Sequence, residues 1–428
     1  MKHTVEEVRL KNGARGLLID IPGATVMSFE FQFRAGNRYT RHADIYETAH
    51  LMEHMAFGAN AEFKTEHEFE AEFTKNGAYH NAYTSDLSMV YMAECADFEW
   101  ERILNLQEVS ICRPKFNEDE LKAEKGNVRS ELTGYLNNHL RLLWPKAQQL
   151  LGEDVLTFNQ RIKTISHVTL RDIREHHKRT HTTNNLRFVI AGKLFGRKSE
   201  IRRQLEAWPL EAGERFEVPR DELHSANPTL IRRKEAANIT FGWSSLVPRV
   251  LSDEELDAMA CLNHLLTGTM HSRIFGNARK KGVSYNIFSD TAASFHESSW
   301  DFGGQVNHES ADELFTIIHD QMQQVLDGEI TQEEIDAAKS YALGRHQMGA
   351  QTVSQISNFY TSRYFGDGIV KDYEKVPDSI TNTSRECMIE TAREFFKENI
   401  WVLAAVGGGE KEEIVRLNGL LETLYTKQ

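Results

Sequence analysis

The sequence predicts an α+β fold made of two homologous halves, each a mostly antiparallel sheet packed with helices, joined by a linker. Three observations carry this. A chain of 428 residues exceeds what one hydrophobic core usually organises. Residues 206–228 hold Pro209, Pro219 and Pro228 among many charges, with no apolar periodicity, as an exposed connection between domains would. The segments REHHKRTHTTNNLRFVIAG, ending at Gly192, and REFFKENIWVLAAVG, ending at Gly407, echo each other as a helix leading into a buried strand. The predicted domains are therefore 1–205 and 229–428, with 206–228 between them.

In the first half, Gly16–Ile19 and Met27–Phe33 read as strands around the Ile21-Pro22-Gly23 turn, the second with a period of two. A helix is expected from about Tyr46 and another over 64–75. Ala82–Cys95 reads as a strand placed after the turn signal Asn76-Gly77. Helices then dominate to about residue 180, and Leu186–Ala191 reads as a buried strand. The second half repeats the plan, with a strand near 229–244, a long helix over 252–267, strands near 284–290 and 300–306, and then helices.

Composition excludes several function classes. Lys and Arg number 50 against 63 Asp and Glu, and the resulting net charge of -13 repels phosphate backbones, so no nucleic-acid partner is expected. A mean hydropathy of -0.50 with no long apolar run predicts a soluble chain with no membrane role. Cys95, Cys112, Cys261 and Cys387 form no CxxC pair, which argues against a disulfide framework or a thiolate zinc site and for a reducing compartment. The start, MKHTVEEVRL, lacks a signal-like apolar core, so the expected location is cytoplasmic.

The most informative pentapeptide is His50-Leu51-Met52-Glu53-His54. On a helix, residues four apart share a face, so the two imidazoles can take adjacent corners of a tetrahedral metal, with Glu53 on the adjoining surface. This is the inverted HxxEH order of zinc hydrolases. The pentapeptide alone leaves another reading open, a pair of hydrogen-bonded core histidines, because chance supplies such a match on the order of 0.1 times in a chain this rich in His. On Phe116–Leu132 the acidic residues Glu120, Glu124 and Glu131 read, by themselves, as a solvated helix face.

Glu131 follows His54 by 77 residues, and Glu124 precedes Glu131 by seven. In this spacing the chain resembles the pitrilysin/insulinase family of zinc metallopeptidases. The segments FRAGNRYTRHADIYETAHLMEHMAF, NGAYHNAYTSDLSMVYMAE and SRIFGNARKKGVSYNIFS are similar to family segments, and the likeness spans nearly the whole chain. It implies zinc held by His50, His54 and Glu131, with Glu124 in support and Glu53 as general base. It also implies a peptide-pairing strand at Asn81, Ala82 and Thr84, and Tyr285 and Arg279 as donors to the reacting carbonyl. Here the Arg–Tyr pair is spaced by six, where the family usually has seven. His80 and the pair His176-His177 match no acidic partner at ligand spacing and read as solvated or structural.

Length points to the short, processing-peptidase-like branch, whose two-domain chains are expected to form a homodimer, or a heterodimer with a paralogous subunit, around peptide substrates. The Arg and Tyr of one chain are then expected to serve the partner's zinc. Two rival readings are a non-catalytic, peptide-holding subunit and a zinc hydrolase with a non-peptide substrate. The intact His50, Glu53, His54 and Glu131 argue against the first, and the Asn81 strand against the second.

Overall fold

A computed structural model of the chain describes residues 1–425. Among the described residues, eleven strands form two sheets. The first contains β1 (Thr4–Arg9), β2 (Arg15–Asp20), β3 (Val26–Phe33), β4 (Tyr79–Thr84), β5 (Met89–Ala96) and β6 (Arg187–Gly192), in the order β1-β2-β6-β3-β5-β4. The second contains β7 (Thr229–Arg232), β8 (Asn238–Val247), β9 (Asn286–Ala293), β10 (Ser298–Asn307) and β11 (Ile400–Gly407), in the order β7-β11-β8-β10-β9. Apart from β1, the two orders are the same when strands are matched along the chain. Each sheet has one parallel pair, β2 with β6 and β7 with β11, and is otherwise antiparallel. The echo between the two segment ends thus reflects a repeated topology. No helix among the described residues is long and apolar enough to cross a membrane, and the four cysteines are free.

Two strand expectations change in detail, and one strand is added. Ala82–Cys95 is the greater part of a hairpin, β4 and β5, reversing at Ser85–Ser88, where the Ser85 amide bonds the Ser88 carbonyl at 2.8 Å. The stretch 229–244 divides into β7 and β8 at a turn near Lys234–Ala236. The first strand, Thr4–Arg9, buries only Val8, exposes Thr4, Glu7 and Arg9, and pairs with β2 alone among the described strands, as an edge strand rich in Glu can.

The compact units are not contiguous halves. One comprises Met1–Gly134, Asn159–Pro219 and Gly349–Lys371, and the other Tyr135–Phe158, Arg220–Met348 and Asp372–Gln428. Helix Val353–Asp367 packs on β6 and β3 of the first sheet, and helix His139–Leu150 packs on the matching strands β11 and β8 of the second. In the latter, Leu142, Leu143 and Ala147 bury against Leu246, Val402, Ala404 and Val406, and Gly242 leaves room for Leu143, since a Cβ there would collide with it. Sequence periodicity shows that such a helix has an apolar face but not which sheet the face covers, which is why the boundaries at 205 and 229 miss this exchange. Residues 208–228 lack regular structure, as a linker should, yet the part up to Pro219 lies along the first unit. Trp208 is buried against Phe31, and the Thr183 and Asn184 amides bond Glu211 and Ala212 carbonyls.

The alternation in β3 acquires a second meaning from helix Val353–Asp367. Phe29, Phe31 and Phe33 face one side, while the polar set Ser28, Glu30 and Gln32 on the other side is buried as well. The Ser357 hydroxyl donates to Glu30 at 2.8 Å. Burial pushes the Glu30 carboxyl up to about 7, against the Ser357 hydrogen bond. Because this carboxyl is easier to ionise unfolded than folded, it favours the fold fully below about pH 4.5, and that contribution is lost as pH rises through about 7. Glu30→Gln, which keeps an acceptor for Ser357, is therefore expected to match wild type in stability near pH 4.5 and to exceed it by up to roughly 3 kcal/mol above pH 7. Urea denaturation across this pH range measures the difference.

Candidate metal centre

Helix Thr48–Ala56 starts where the Thr48 hydroxyl bonds the Ile45 carbonyl at 2.7 Å. Ala49, Leu51, Met52, Met55 and Ala56 give it a buried apolar side, and it packs against β4. His50 and His54, one turn apart, leave the helix together. The second contributor is helix Glu118–Tyr135, whose first turn carries Glu118, Asp119 and Glu120, where negative charge suits the helix dipole. Leu121, Val128 and Leu132 seat this helix in the core. Glu124 and Glu131, two turns apart, therefore lie on one side of it.

These helices bring His50, His54 and Glu131 together, with one ligand atom from each lying within 4.8 Å of the other two. Glu131 Oε2 is 3.5 Å from His50 Nε2 and 3.4 Å from His54 Nε2. Ligands at about 2.0–2.1 Å from a tetrahedral ion stand roughly 3.3 Å apart, so the observed spacing needs little adjustment to accept zinc. The far side of each ring is held by a carboxylate. His50 Nδ1 donates to Glu47 Oε2 at 2.9 Å, and His54 Nδ1 donates to Glu124 Oε2 at 2.9 Å. With Nδ1 of each ring engaged by a carboxylate, each Nε2 is directed towards Glu131 and is the nitrogen left to face a metal. Two imidazoles and one carboxylate suit zinc, and three protein ligands leave the fourth position open.

The electrostatics favour a cation. Burial opposes charge on His54, but hydrogen bonds to Glu124 and Glu131, together with Glu53, push it up to about 10. His50 is raised for the same reason, with Glu131 and Glu47 outweighing its burial. The hydrogen bond from His54 holds Glu124 below the usual carboxylate range. Glu124 also accepts from Asn127 Nδ2 at 3.0 Å, so its second oxygen is fixed. Burial, then the charges of Glu124, Glu70 and Glu120, push the Glu66 carboxyl up, so the surroundings are acidic too. Glu53 is half-buried on the turn between the two histidines and takes no hydrogen bond among the described residues.

The other expected residues are placed as follows. Asn81, Ala82 and Thr84 lie on β4, an edge of the first sheet that pairs with β5 alone among the described strands, and the Ala82 amide donates to Asn81 Oδ1 at 3.0 Å. Asn81 is exposed, and Ala82 is buried. Arg279 and Tyr285 belong to the second unit and lie together, with the guanidinium 4.6 Å over the ring. Their six-residue spacing is accommodated by Gly282, which ends helix Arg273–Lys281 with φ at 71°, and by Ser284, whose hydroxyl bonds the Gln305 carbonyl at 2.9 Å. Tyr285 is 81% exposed. The other three histidines singled out from the sequence, His80, His176 and His177, make structural contacts. His80 pairs with Glu70 at 2.8 Å beside Phe57 and Phe73, and His176 and His177 donate to the carbonyls of Ala35 and Ile111, each at 2.8 Å.

Glu47 and Arg161 are not among the residues expected from the sequence. Glu47 stands three positions before His50, a spacing that reaches one helical turn, and this is the only signal for it. Nothing in the sequence marks Arg161, whose Nε lies 2.5 Å from Glu47 Oε1.

The chain is similar to several known families and proteins. Residues 17–153 match the model of the family described as insulinase (peptidase family M16), and residues 167–341 match the one described as peptidase M16 inactive domain. An uncharacterized zinc protease of Rickettsia felis is 22% identical over 414 residues, covering 95% of this chain and 98% of that protein. The uncharacterized zinc protease YmxG of Bacillus subtilis is 23% identical over 414 residues, covering 92% and 96%. The mitochondrial-processing peptidase subunit beta of Rattus norvegicus is 28% identical over 176 residues, which are 40% of this chain and 35% of that protein. Among solved structures, a protease from Helicobacter pylori shares the fold at a TM-score of 0.82 and 18% identity, covering 95% of this chain and all of that one. A peptidase M16 inactive domain from Pseudomonas fluorescens does so at 0.84 and 17%, covering 95% and 99%.

Three ligands leave no spare, so zinc titration of the purified chain is expected to give about one ion per chain, with His50→Ala and Glu131→Gln each losing most of it. Glu124→Gln is expected to keep the ligands but to weaken the metal or lower activity roughly 10- to 100-fold, because it orients His54. Elemental analysis after dialysis checks occupancy, and competition with a chromogenic chelator checks affinity.

Proposed function

The chain belongs to the insulinase (peptidase M16) family, in its processing-peptidase-like branch, and from that premise we propose that it is a zinc-dependent peptidase hydrolysing peptides or unfolded polypeptides. One observation carries the reading. His50, His54 and Glu131 converge with both Nδ1 atoms anchored, and Glu53, whose charge acts on both rings, takes no side-chain hydrogen bond among the described residues. Bound zinc supplies Lewis-acid polarisation and an activated water. Glu53 takes the proton of the attacking water and delivers it to the leaving amine. The peptide aligns along the open edge of β4, where main-chain hydrogen bonds bind many sequences and Asn81 and Thr84 mark the strand. Acidic surroundings favour basic or neutral peptides over acidic ones.

Tyr285 donates to the developing oxyanion, and Arg279, stacked on its ring, holds the pair in place or shares the task. The exposure of Tyr285 supports an action on something outside its own chain. We assign that something to the zinc site of a second subunit in a dimer, identical or paralogous, so that two chains complete each chamber.

A non-catalytic, peptide-holding subunit is the second reading, favoured by the word inactive in one matched description. That description attaches to residues 167–341, whereas His50, Glu53, His54 and Glu131 all fall within 17–153.

Glu53→Gln is expected to keep zinc and lose nearly all hydrolysis of a mixed-peptide digest read by mass spectrometry, and wild-type turnover in that variant would remove Glu53 from the mechanism. Tyr285→Phe is expected to lower turnover on the order of 10²-fold with zinc retained. Mixed under conditions that exchange subunits, the two inactive variants give about half mixed dimers, each rebuilding one site of two, so activity returns to roughly a quarter of wild type. No rescue despite proven exchange discards the shared site.

A further inference from the structure

We propose that Glu47 and Arg161 act as a buried positioning pair that sets the orientation and zinc affinity of His50. The proposal rests on the zinc reading above. Glu47 is fully buried at the start of the metal helix, where an unpaired carboxylate would be strongly disfavoured. Both of its oxygens are engaged. Oε1 accepts from Arg161 Nε at 2.5 Å, and Oε2 accepts from Arg161 Nη2 at 3.1 Å and from His50 Nδ1 at 2.9 Å.

The fork of Arg161 fixes the plane of the carboxylate, since a guanidinium bridging two oxygens leaves them little freedom to turn. The carboxylate in turn holds the His50 ring with Nδ1 at Glu47 and Nε2 facing Glu131. Arg161 comes from helix Phe158–Thr164, more than a hundred residues along the chain from Glu47. The two histidines are thus held differently. His54 leans on Glu124, which is partly exposed and braced by a neutral amide, whereas His50 leans on a carboxylate that is completely buried and neutralised by a cation. The Arg161 charge cancels that of Glu47, so the pair orients His50 without adding net negative charge behind it.

A simple structural ion pair joining two helices makes a different prediction, and metal affinity separates the two. Glu47→Met combined with Arg161→Met removes both buried charges and fills similar volume, a change that buried ion pairs often tolerate. Glu47→Asp keeps the charge opposite Arg161 but withdraws it from His50 by one methylene. Zinc affinity of the purified chain is measured by chelator competition, and thermal unfolding is measured on the metal-free protein. The expected result is a roughly 10- to 100-fold loss of zinc affinity in both variants, with the unfolding midpoint of the metal-free double variant close to wild type. Affinity within about twofold of wild type in either folded variant overturns the positioning role and leaves the zinc site intact. Failure of the double variant to fold shows the pair to be structural and overturns it as well. Wild-type protein that takes up no zinc in the same titration rejects the zinc reading itself.

Discussion

Each imidazole that faces the metal position is fixed from behind by a carboxylate, and much of the first unit is arranged to supply those carboxylates. A ring with its Nδ1 proton bound to an anion can offer only Nε2 to a metal, so the direction of both ligands is set before any ion arrives. Glu124 and Glu131 show how economically this is done. They stand two turns apart on one helix, roughly 10 Å of rise, and their side chains close on opposite nitrogens of the same His54 ring, Glu124 at Nδ1 and Glu131 at Nε2. One helix therefore supplies a ligand and the brace of another ligand. The seven-residue interval between the two acids is a consequence of the size of an imidazole and the pitch of a helix.

The sheets give these helices something rigid to rest on. The metal helix packs against β4, so the open edge expected to pair with a peptide lies beside the helix that carries Glu53. In the second unit, β9 is the matching edge strand, and Tyr285 immediately precedes it. The repeated strand order has produced two related edges with different equipment, the first beside the proposed metal centre and the second preceded by an exposed tyrosine and its stacked arginine. The two exchanged helices, Val353–Asp367 and His139–Leu150, occupy matching places on the two sheets. They explain why polar residues such as Glu30 sit on a strand face that would otherwise meet water.

The parts of this arrangement that were legible in the sequence are those that depend on local spacing. The HxxEH pattern placed His50, Glu53 and His54 on a helix because a four-residue interval has one geometric meaning there, and the buried strands ending in Gly192 and Gly407 followed from short apolar runs. Glu131 and Glu124 were legible only through family resemblance, since acids on a polar helix ordinarily face solvent. What the sequence hid is tertiary. Glu47 looks like an ordinary acid at a helix start, and its role appears only when Arg161 arrives from another helix. The reversal between β4 and β5 was missed because Ser85-Asp86-Leu87-Ser88 contains neither Gly nor Pro. The helix exchange was missed because an amphipathic pattern does not name its partner.

Two imidazoles and one carboxylate, already oriented, form the proposed zinc site. X-ray absorption at the zinc edge of the metal-loaded chain tests this most directly. The account predicts a first shell of nitrogen and oxygen at about 2.0–2.1 Å, with outer-shell scattering from two imidazole rings that falls to one in His54→Ala. A sulfur contribution near about 2.3 Å, or a shell of oxygens without imidazole, would contradict it.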